Sequence, residues 1–349
     1  MGEVLFGGAP ALCLVTGASR GIGREIATQL VSRLSPKSSL ILHASSEGNL
    51  QETRSIIKPS AEEKGVALLT WACDLSVISD DDMAGLNSVL QSVLTSDGAI
   101  LKSALVVHNA GTIGDASKHL LELSDAAEID TQLRINVTST ILINNIFCQT
   151  ALDSGLLLFV VNITSLYGIQ GAPCHALYAV GKHAREGLFK SLALEHPEAR
   201  VLSYSPGVIQ TDMILNVREK SWHQGTKDFV SKSENCVPVR KTVDKMITLL
   251  SENEFTSGSQ GFDRHLFALK NLSQTDGGGG DTLPAIFQDP TYAHANRYVL
   301  STSTLSTDSI IFGGFTDLLT DFCISLIASL EHVKIIFEVI LMLCILQSA

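Results

Sequence analysis

Six short apolar runs alternate with six longer amphipathic stretches, and this alternation constrains the fold more than any other feature. A strand, a helix and another strand in repeated succession predict an α/β domain whose doubly wound parallel sheet is covered by helices on both faces. Ligands of such sheets bind at the carboxyl ends of the strands. The predicted strands span residues 11–15, 39–43, 66–72, 104–108, 156–163 and 200–204, and the predicted helices span 22–34, 47–57, 79–95, 124–152, 176–195 and 239–251.

The alternation stops near residue 262, so we predict one domain over residues 10–264 and a C-terminal extension over residues 265–349. Three interpretations of the extension stay open: a membrane anchor, a segment that docks on the domain or a partner, and a poorly ordered read-through of the gene. Glu338, Asp317 and Asp321 interrupt its apolar stretches. A charge near the centre of a spanning helix costs about 2.5–3.5 kcal/mol, which argues against the anchor.

Charge and cysteine usage exclude several classes of partner. The net charge is −11, with 25 basic against 36 acidic residues, whereas nucleic-acid binding needs a basic patch. Seven cysteines are scattered without CxxC spacing, which is typical of reduced thiols in a cytoplasmic protein and gives no metal site. The N-terminus lacks the basic and apolar regions of a secretion signal. We therefore expect a cytoplasmic protein that binds neither nucleic acid nor a membrane.

A glycine-rich loop, "TGASRGIG" over residues 16–23, follows the first predicted strand and opens the first predicted helix. Glycines at this spacing allow a ligand to approach the main chain. The bare N–H groups and the positive end of the helix are suited to a pyrophosphate. The predicted dinucleotide-binding residues of this loop are Gly17, Ser19, Arg20, Gly21, Ile22 and Gly23.

The end of the second predicted strand indicates which dinucleotide is bound. An Asp or Glu about 20 residues after the loop would bind a free ribose 2′-hydroxyl and select NAD. Here His43, Ser45 and Ser46 stand at that place, and Glu47 comes slightly late. Arg20 adds a cation suited to a 2′-phosphate. These residues favour NADP(H); the alternative is that they are ordinary solvated loop residues.

Polar residues also follow the third and fourth predicted strands. Asp74, followed by Leu75, could accept a hydrogen bond from an adenine amino group, or could instead cap the next helix. Asn109 and Gly111 in "HNAG" let the chain pass close to the cofactor, although this tripeptide could also be only a turn.

Four further residues form a candidate reacting group. Tyr178 and Lys182 are four residues apart, so on a helix they share one face. A nearby ammonium favours the phenolate and makes the phenol, whose ordinary pKa is about 10, a better proton donor. Ser165 ends the fifth predicted strand, where its hydroxyl could hold a substrate carbonyl. Asn136, inside the predicted helix 124–152, could anchor a water relay to Lys182 or be a satisfied core amide.

Taken in order, these residues resemble the short-chain dehydrogenase/reductase family: TGxxxGxG, NAG, and the tetrad Asn136, Ser165, Tyr178 and Lys182. The resemblance covers residues 10–264 and implies a Rossmann-type domain that usually forms dimers or tetramers. It implies that Tyr178 protonates a small-molecule carbonyl, that Ser165 orients it, and that Lys182 binds the nicotinamide ribose and tunes Tyr178. In the family a Pro-Gly segment meets the nicotinamide end; the matching residues here are Ile209, Thr211, Asp212 and Met213.

Longer stretches are similar to family members that reduce side-chain ketones of pterins in tetrahydrobiopterin synthesis, among them "GTIGDASKHLLELSD". That resemblance implies substrate contacts through Ser165, Leu166, Tyr178, Gly207 and a late aspartate. Aligned without gaps, the aspartate falls on Phe262, with Asp263 one place on, and Ser45 replaces an arginine that binds the 2′-phosphate. The alternatives are a reductase of other small ketones or diketones and a non-catalytic NADP-binding regulatory protein.

Overall fold

A computed structural model describes residues 6, 8–96 and 101–262 of the chain. Its centre is a seven-stranded parallel sheet in the order β3-β2-β1-β4-β5-β6-β7. The first three strands are added from β1 toward one edge of the sheet, and the chain then returns to add β4 to β7 toward the other edge. The six predicted strands are confirmed, and a seventh, short strand follows them. The strands are β1 Ala11–Val15, β2 Ser39–Ala44, β3 Ala67–Ala72, β4 Ser103–His108, β5 Leu157–Ile163, β6 Arg200–Ser205 and β7 Gln260–Phe262.

Helices cover both faces of the sheet, as the alternation predicts. α1, α2 and α9 pack on one face, while α3, α5 and α6 pack on the other. This is the doubly wound, Rossmann-type arrangement. The helices are α1 Gly21–Arg33, α2 Glu47–Lys64, α3 Asp80–Leu94, α4 Ala126–Leu133, α5 Ser139–Asp153, α6 Ala176–Glu195, α7 Asp212–Lys220, α8 Gln224–Ser231 and α9 Val239–Glu252.

The central strands are apolar along their whole length because both of their faces are buried. In β1, Ala11, Cys13 and Val15 join the core beneath α1 and α2, whereas Leu12 and Leu14 join the core beneath α3 and α5. All five residues are at most 1% exposed. This packing fixes the end of β1, and therefore the start of the glycine-rich loop, at the middle of the sheet.

Two helix predictions were wrong in their limits. The predicted helix 124–152 is interrupted, because a π-helical turn, Arg134–Thr138, separates α4 from α5. α2 continues past its predicted end to Lys64, with Pro59 inside it, and stops where Gly65 adopts a φ of +66°. α7 and α8 were not predicted. No helix in the described part of the chain is both long enough and apolar enough to cross a membrane.

Candidate active site

The glycine-rich loop turns tightly between β1 and α1. Gly17 has a φ of +67°, a conformation that favours glycine. A Cβ atom on Gly23 would lie 2.1 Å from the carbonyl oxygen of Gly17. The first turn of α1 therefore lies directly on the loop, and only glycine fits at position 23.

The back of this loop is fixed by His43, which was not among the predicted binding residues. The N–H of Gly17 donates to His43 Nδ1 at 3.2 Å, and His43 Nε2 lies 3.1 Å from the carbonyl oxygen of Cys73. These two partners require the neutral tautomer with a proton on Nε2. Burial lowers the pKa of His43 to about 4, which keeps the ring neutral.

The N-terminus of α1 is suited to an anion. Its N-cap residue, Arg20, has an extended backbone and no side-chain cap, and the first turn holds no acidic residue. The positive end of the helix is therefore left for a ligand, which fits the pyrophosphate of a dinucleotide. Ser19 and Ile22 are half-buried on this turn, and Gly21 faces Thr211, whose Cγ2 would lie 3.4 Å from an added Cβ atom.

Arg20 points away from the protein core and forms an ion pair with Asp212, at 2.7 Å between Nη1 and Oδ2. The two side chains are 73% and 66% exposed. An exposed pair of this kind contributes only about 0.2–1 kcal/mol, so a phosphate can displace the carboxylate. Arg20, the cation predicted to bind a 2′-phosphate, is thus paired with Asp212 at the start of α7.

Ser45 and Ser46 are exposed immediately after β2. Ser46 caps α2 by accepting a hydrogen bond from the N–H of Asn49 at 3.4 Å, and Ser45 accepts one from the Asn49 amide at 3.0 Å. Glu47 is the first residue of α2. The place that would carry an NAD-selecting carboxylate therefore holds two hydroxyl groups.

Asp74 lies after β3, where one carboxylate oxygen accepts hydrogen bonds from the N–H and hydroxyl of Ser76, at 2.9 and 2.8 Å. The alternative that Asp74 caps α3 was wrong, because Ser79 is the N-cap of that helix. Asp74 is exposed at the carboxyl edge of the sheet, and the adjacent Leu75 is buried. This placement is compatible with the predicted contact to an adenine.

Asn109 connects the end of β4 to the glycine-rich loop. Its side-chain amide donates to the carbonyl oxygens of Thr16 at 2.9 Å and Gly17 at 3.2 Å. Asn109 thus positions the loop, and its predicted close approach to the cofactor stays a prediction. At Gly111, an added Cβ atom would lie 3.0 Å from Asn136 Oδ1, so the main chain passes close to the π-helical turn.

The side chain of Asn136 is buried and fully engaged. Its Oδ1 accepts from the N–H of Thr112, and its Nδ2 donates to the carbonyl oxygen of the same residue, both at 2.8 Å. The side chain of Asn136 therefore fits the alternative that it is a core amide with hydrogen-bond partners within the protein. Asn136 lies in the π-helical turn Arg134–Thr138, a kind of turn that is frequent at functional sites, and its predicted part in a water relay stays a prediction.

Ser165, Tyr178 and Lys182 meet at the carboxyl end of β5. Lys182 Nζ lies 5.4 Å from the centre of the Tyr178 ring and donates to the carbonyl oxygen of Ile163 at 2.6 Å. Ser165 forms a side-chain hydrogen bond with Tyr178 and also accepts from the N–H of Tyr167 at 3.2 Å. The spacing of Tyr178 and Lys182 places them on one face of α6, in agreement with the prediction.

Burial sets the proton affinities of this group. It raises the pKa of Tyr178, and the Ser165 hydrogen bond and the charge of Arg185 oppose that increase. Burial and Arg185 hold the pKa of Lys182 well below its ordinary value. The phenol is therefore protonated near neutral pH and is placed to donate its proton.

The Pro-Gly segment after β6 completes the site. Gly207 has a φ of +82°, Ile209 is buried, and Thr211 is the N-cap of α7. Met213, on the first turn of α7, packs in a small apolar cluster that includes Tyr178. Of the predicted substrate residues, Leu166 follows Ser165 in a 3₁₀ turn, while Asp263 lies outside the described residues.

Comparison with known proteins identifies the class. A model of the short chain dehydrogenase family matches residues 11–222, and the chain belongs to that family. It is therefore an oxidoreductase that acts on CH–OH or C=O groups with a nicotinamide cofactor. The chain is 37% identical to sepiapterin reductase of Meriones unguiculatus over 71% of this chain and 94% of that protein. L-sorbose reductase from Gluconobacter frateurii, solved with NADPH and L-sorbose, has the same fold (TM-score 0.59, 23% identity, 74% of this chain and 96% of that one).

A second family model, for choline/carnitine O-acyltransferases, matches residues 220–337. Separately, 62 residues of the chain are 50% identical to mitochondrial carnitine O-palmitoyltransferase 2 of Mus musculus, covering 18% of this chain and 9% of that enzyme. The described residues of this range form α8, α9 and β7 of the sheet-and-helix domain. The predicted extension, residues 265–349, lies outside the described residues.

Proposed function

We propose that this protein reduces a carbonyl group with NADPH and that its substrate is a pterin with a side-chain ketone, as the name of its sepiapterin reductase relatives suggests. The observation that carries the proposal is the buried group of Ser165, Tyr178 and Lys182. This group lies at the carboxyl edge of a dinucleotide-binding sheet.

Each residue has a defined part in the proposed reaction. Ser165 donates a hydrogen bond to the substrate oxygen and holds the carbonyl beside Tyr178. The bound nicotinamide would supply a hydride to the carbonyl carbon. Tyr178 gives its proton to the oxygen, so the products are an alcohol and a phenolate that is stabilised by the neighbouring cations. Lys182 binds the nicotinamide ribose and returns a proton to Tyr178.

Two features support NADPH over NADH. Arg20 is exposed at the N-terminus of α1, where its ion-pair partner is easily displaced. Ser45 and Ser46 present hydroxyl groups at the end of β2. An acidic residue at that place would repel a 2′-phosphate. The ratio of kcat/KM for NADPH and NADH measures this preference, and equal use of both cofactors would contradict it.

Aromatic side chains near Tyr178 support a flat substrate. The rings of Tyr167 and His175 lie 6.4 and 6.3 Å from the ring of Tyr178, and the apolar cluster around Met213 adjoins them. The late aspartate expected to bind the pterin is displaced to Asp263. This displacement favours a second candidate function, the reduction of other small ketones or diketones.

NADPH oxidation, followed by absorbance with sepiapterin and with a series of diketones, tests the two candidates. If Asp263 binds the pterin through a charge-assisted pair, Asp263→Ala should raise KM for sepiapterin roughly tenfold to a hundredfold. KM for a diketone should not change. Equal responses of both substrates would favour the second candidate.

The proposed assembly is a homodimer or homotetramer in the cytoplasm, as is usual in this family. Light scattering of the purified protein measures the assembly. A monomeric protein with full activity would contradict it. Fractionation of the source cells, with activity recovered without detergent, tests the location.

A further inference from the structure

Arg185 is the largest fully buried side chain of the described residues, and none of the roles above uses it. It lies on α6, one turn after Lys182, and is 0% exposed. A buried guanidinium requires several acceptors to offset its desolvation. Its three nitrogens find them: Nε donates to Asn162 Oδ1 at 2.8 Å, Nη1 to the carbonyl oxygen of Ala110 at 3.1 Å, and Nη2 to that of His108.

These contacts connect the catalytic helix to the cofactor loop. The carbonyls of His108 and Ala110 stand on either side of Asn109. Asn109 in turn holds the carbonyls of Thr16 and Gly17 through its side-chain amide. Hydrogen bonds therefore join α6 to the main chain at the end of β4, and further hydrogen bonds from Asn109 join that segment to the glycine-rich loop.

The positive charge of Arg185 acts on Tyr178 in a buried environment where the neighbouring histidines are neutral. Burial lowers the pKa of His108 to about 3 and also lowers that of His175, so both rings are neutral at neutral pH. Burial raises the pKa of Tyr178 and lowers that of Lys182; the charge of Arg185 opposes the first change and adds to the second. Burial also lowers the pKa of Arg185, and Glu186 opposes the lowering for both Lys182 and Arg185. The titratable groups that face Tyr178 are Lys182 and Arg185 on α6, His175 before it, and Tyr167 after β5, while Glu186 faces Lys182 and Arg185.

We propose that Arg185 is a positioning residue of the carbonyl reduction, which holds the His108–Ala110 segment for the cofactor and supplies a fixed positive charge to the Tyr178 phenol. The effect of Arg185 on Tyr178 rests on the proposed carbonyl reduction, whereas its effect on NADPH affinity does not depend on which substrate is reduced. Because Arg185 touches neither the substrate nor the reacting atoms, it acts through Asn109 and Tyr178.

Glu186 offers a matched control of opposite charge. Its Oε1 accepts from Asn162 Nδ2 at 3.3 Å, so Glu186 shares with Arg185 a partner on β5. Glu186→Gln removes the negative charge and keeps the shape and the hydrogen bonds of Arg185. Arg185→Gln removes both the positive charge and the donors to the two carbonyls.

The experiment measures NADPH affinity by fluorescence titration of the full chain, and kcat between pH 6 and pH 11 per NADPH-binding site. Arg185→Gln should raise the NADPH Kd about tenfold, since hydrogen bonds from a charged donor are lost. It should also lower kcat and move the high-pH decline of kcat upward, because the phenol loses a neighbouring cation. Glu186→Gln, which keeps the three donors of Arg185 in place, should leave Kd unchanged.

Each result decides the proposal. An Arg185→Gln variant with unchanged Kd, or with a pH profile that superimposes on the parent's, would overturn it, as would a parent without a decline below pH 11. If Arg185→Gln does not fold, Arg185→Lys, which keeps the charge but loses the planar set of donors, replaces it, and an unchanged NADPH Kd in that variant overturns the positioning of the His108–Ala110 segment. If the parent does not turn over sepiapterin, the proposed substrate is wrong, and the kcat profiles are measured with a diketone instead. The comparison of NADPH Kd values still tests the role of Arg185, because it needs no substrate.

Discussion

Arg20 and Asp212 join the two halves of the cofactor site, with 2.7 Å between Nη1 and Oδ2. Arg20 belongs to the glycine-rich loop after β1, and Asp212 begins α7 after β6. The pair therefore links the loop predicted to bind the pyrophosphate to the segment predicted to meet the nicotinamide end. An anionic cofactor and Asp212 compete for the same guanidinium.

This competition gives opposite expectations for the two partners. Arg20→Ala should raise the NADPH Kd by roughly tenfold to a hundredfold, because a charge-assisted contact to the 2′-phosphate is lost. Asp212→Asn should lower the NADPH Kd by up to about fivefold, since an exposed pair is worth at most ~1 kcal/mol. Fluorescence titrations with NADPH and NADH at one fixed salt concentration measure both. An Arg20→Ala variant that weakens NADH as much as NADPH would show that Arg20 does not bind the 2′-phosphate.

Tyr178→Phe should lower kcat by about 10²–10⁴-fold, because the reaction loses its general acid, and leave NADPH binding nearly unchanged. Tyr204→Phe is the matched control. Its hydroxyl donates to the carbonyl oxygen of Thr242 at 2.9 Å in the core, so its loss should cost about 1 kcal/mol of stability without an effect on kcat. Retention of more than a tenth of the parent kcat in Tyr178→Phe would disprove the mechanism.

Gly23→Ala should damage the cofactor loop. The added methyl group would meet the carbonyl oxygen of Gly17 at 2.1 Å, so the loop must move at a cost of about 1–3 kcal/mol. Gly48→Ala is the matched control, because nothing lies within 4 Å of an added Cβ atom in the first turn of α2. It should stabilise the helix by roughly 0.5–1 kcal/mol. Thermal unfolding and NADPH titration of both variants measure the contrast, and equal behaviour would contradict it.

The sequence predicted six strands and the Tyr178–Lys182 pair because both depend on local patterns. Buried parallel strands are continuous apolar runs, and two residues four apart share a helix face whatever surrounds the helix. β7 was not predicted, since three residues, Gln260–Phe262, carry too little pattern. Its formation depends on the edge of β6, to which it pairs.

Arg185, His43 and the π-helical turn could not be predicted, because their surroundings come from distant parts of the chain. A charged residue within α6 is usually solvent-exposed; Arg185 is buried because carbonyls 75 and 77 residues earlier accept its donors. His43 is held by Gly17, 26 residues earlier. Asn136 is held by Thr112, 24 residues earlier, and this contact accompanies the interruption of the predicted helix 124–152.

The buried histidine His43 should make stability dependent on pH. Its pKa is about 4 in the folded protein and 6.5 ordinarily, so the unfolded chain binds more protons between these values. The unfolding free energy should therefore rise with pH across this range, by up to about 1.4 kcal/mol per pH unit from this residue, and decline as the pH falls through 4. His43→Gln should flatten the slope by that amount. Urea unfolding at several pH values measures it, and equal slopes would mean that His43 is not buried neutral.

The last prediction is that residues after Arg264 are dispensable for catalysis. β7 pairs with β6 through Ser203 opposite Gln260 and Ser205 opposite Phe262, so the described sheet ends just before this point. The match to sepiapterin reductase of Meriones unguiculatus uses 71% of this chain and covers 94% of that protein. The similarity to carnitine O-palmitoyltransferase 2 covers 9% of that enzyme. A chain that ends at Arg264 should therefore keep its NADPH Kd and its kcat/KM.

A chain that ends at Gly258 is the matched control for this truncation. It lacks β7, which exposes the edge of β6, so its thermal midpoint should fall. The domain in the chain that ends at Arg264 should unfold at the same temperature as it does in the full-length chain. Loss of kcat/KM in the longer truncation would show that the extension contributes to the site. Recovery of the full chain only in a carbonate-resistant membrane fraction would instead identify the extension as an anchor, because a peripheral segment is released by carbonate while a spanning helix of about 20 apolar residues is not.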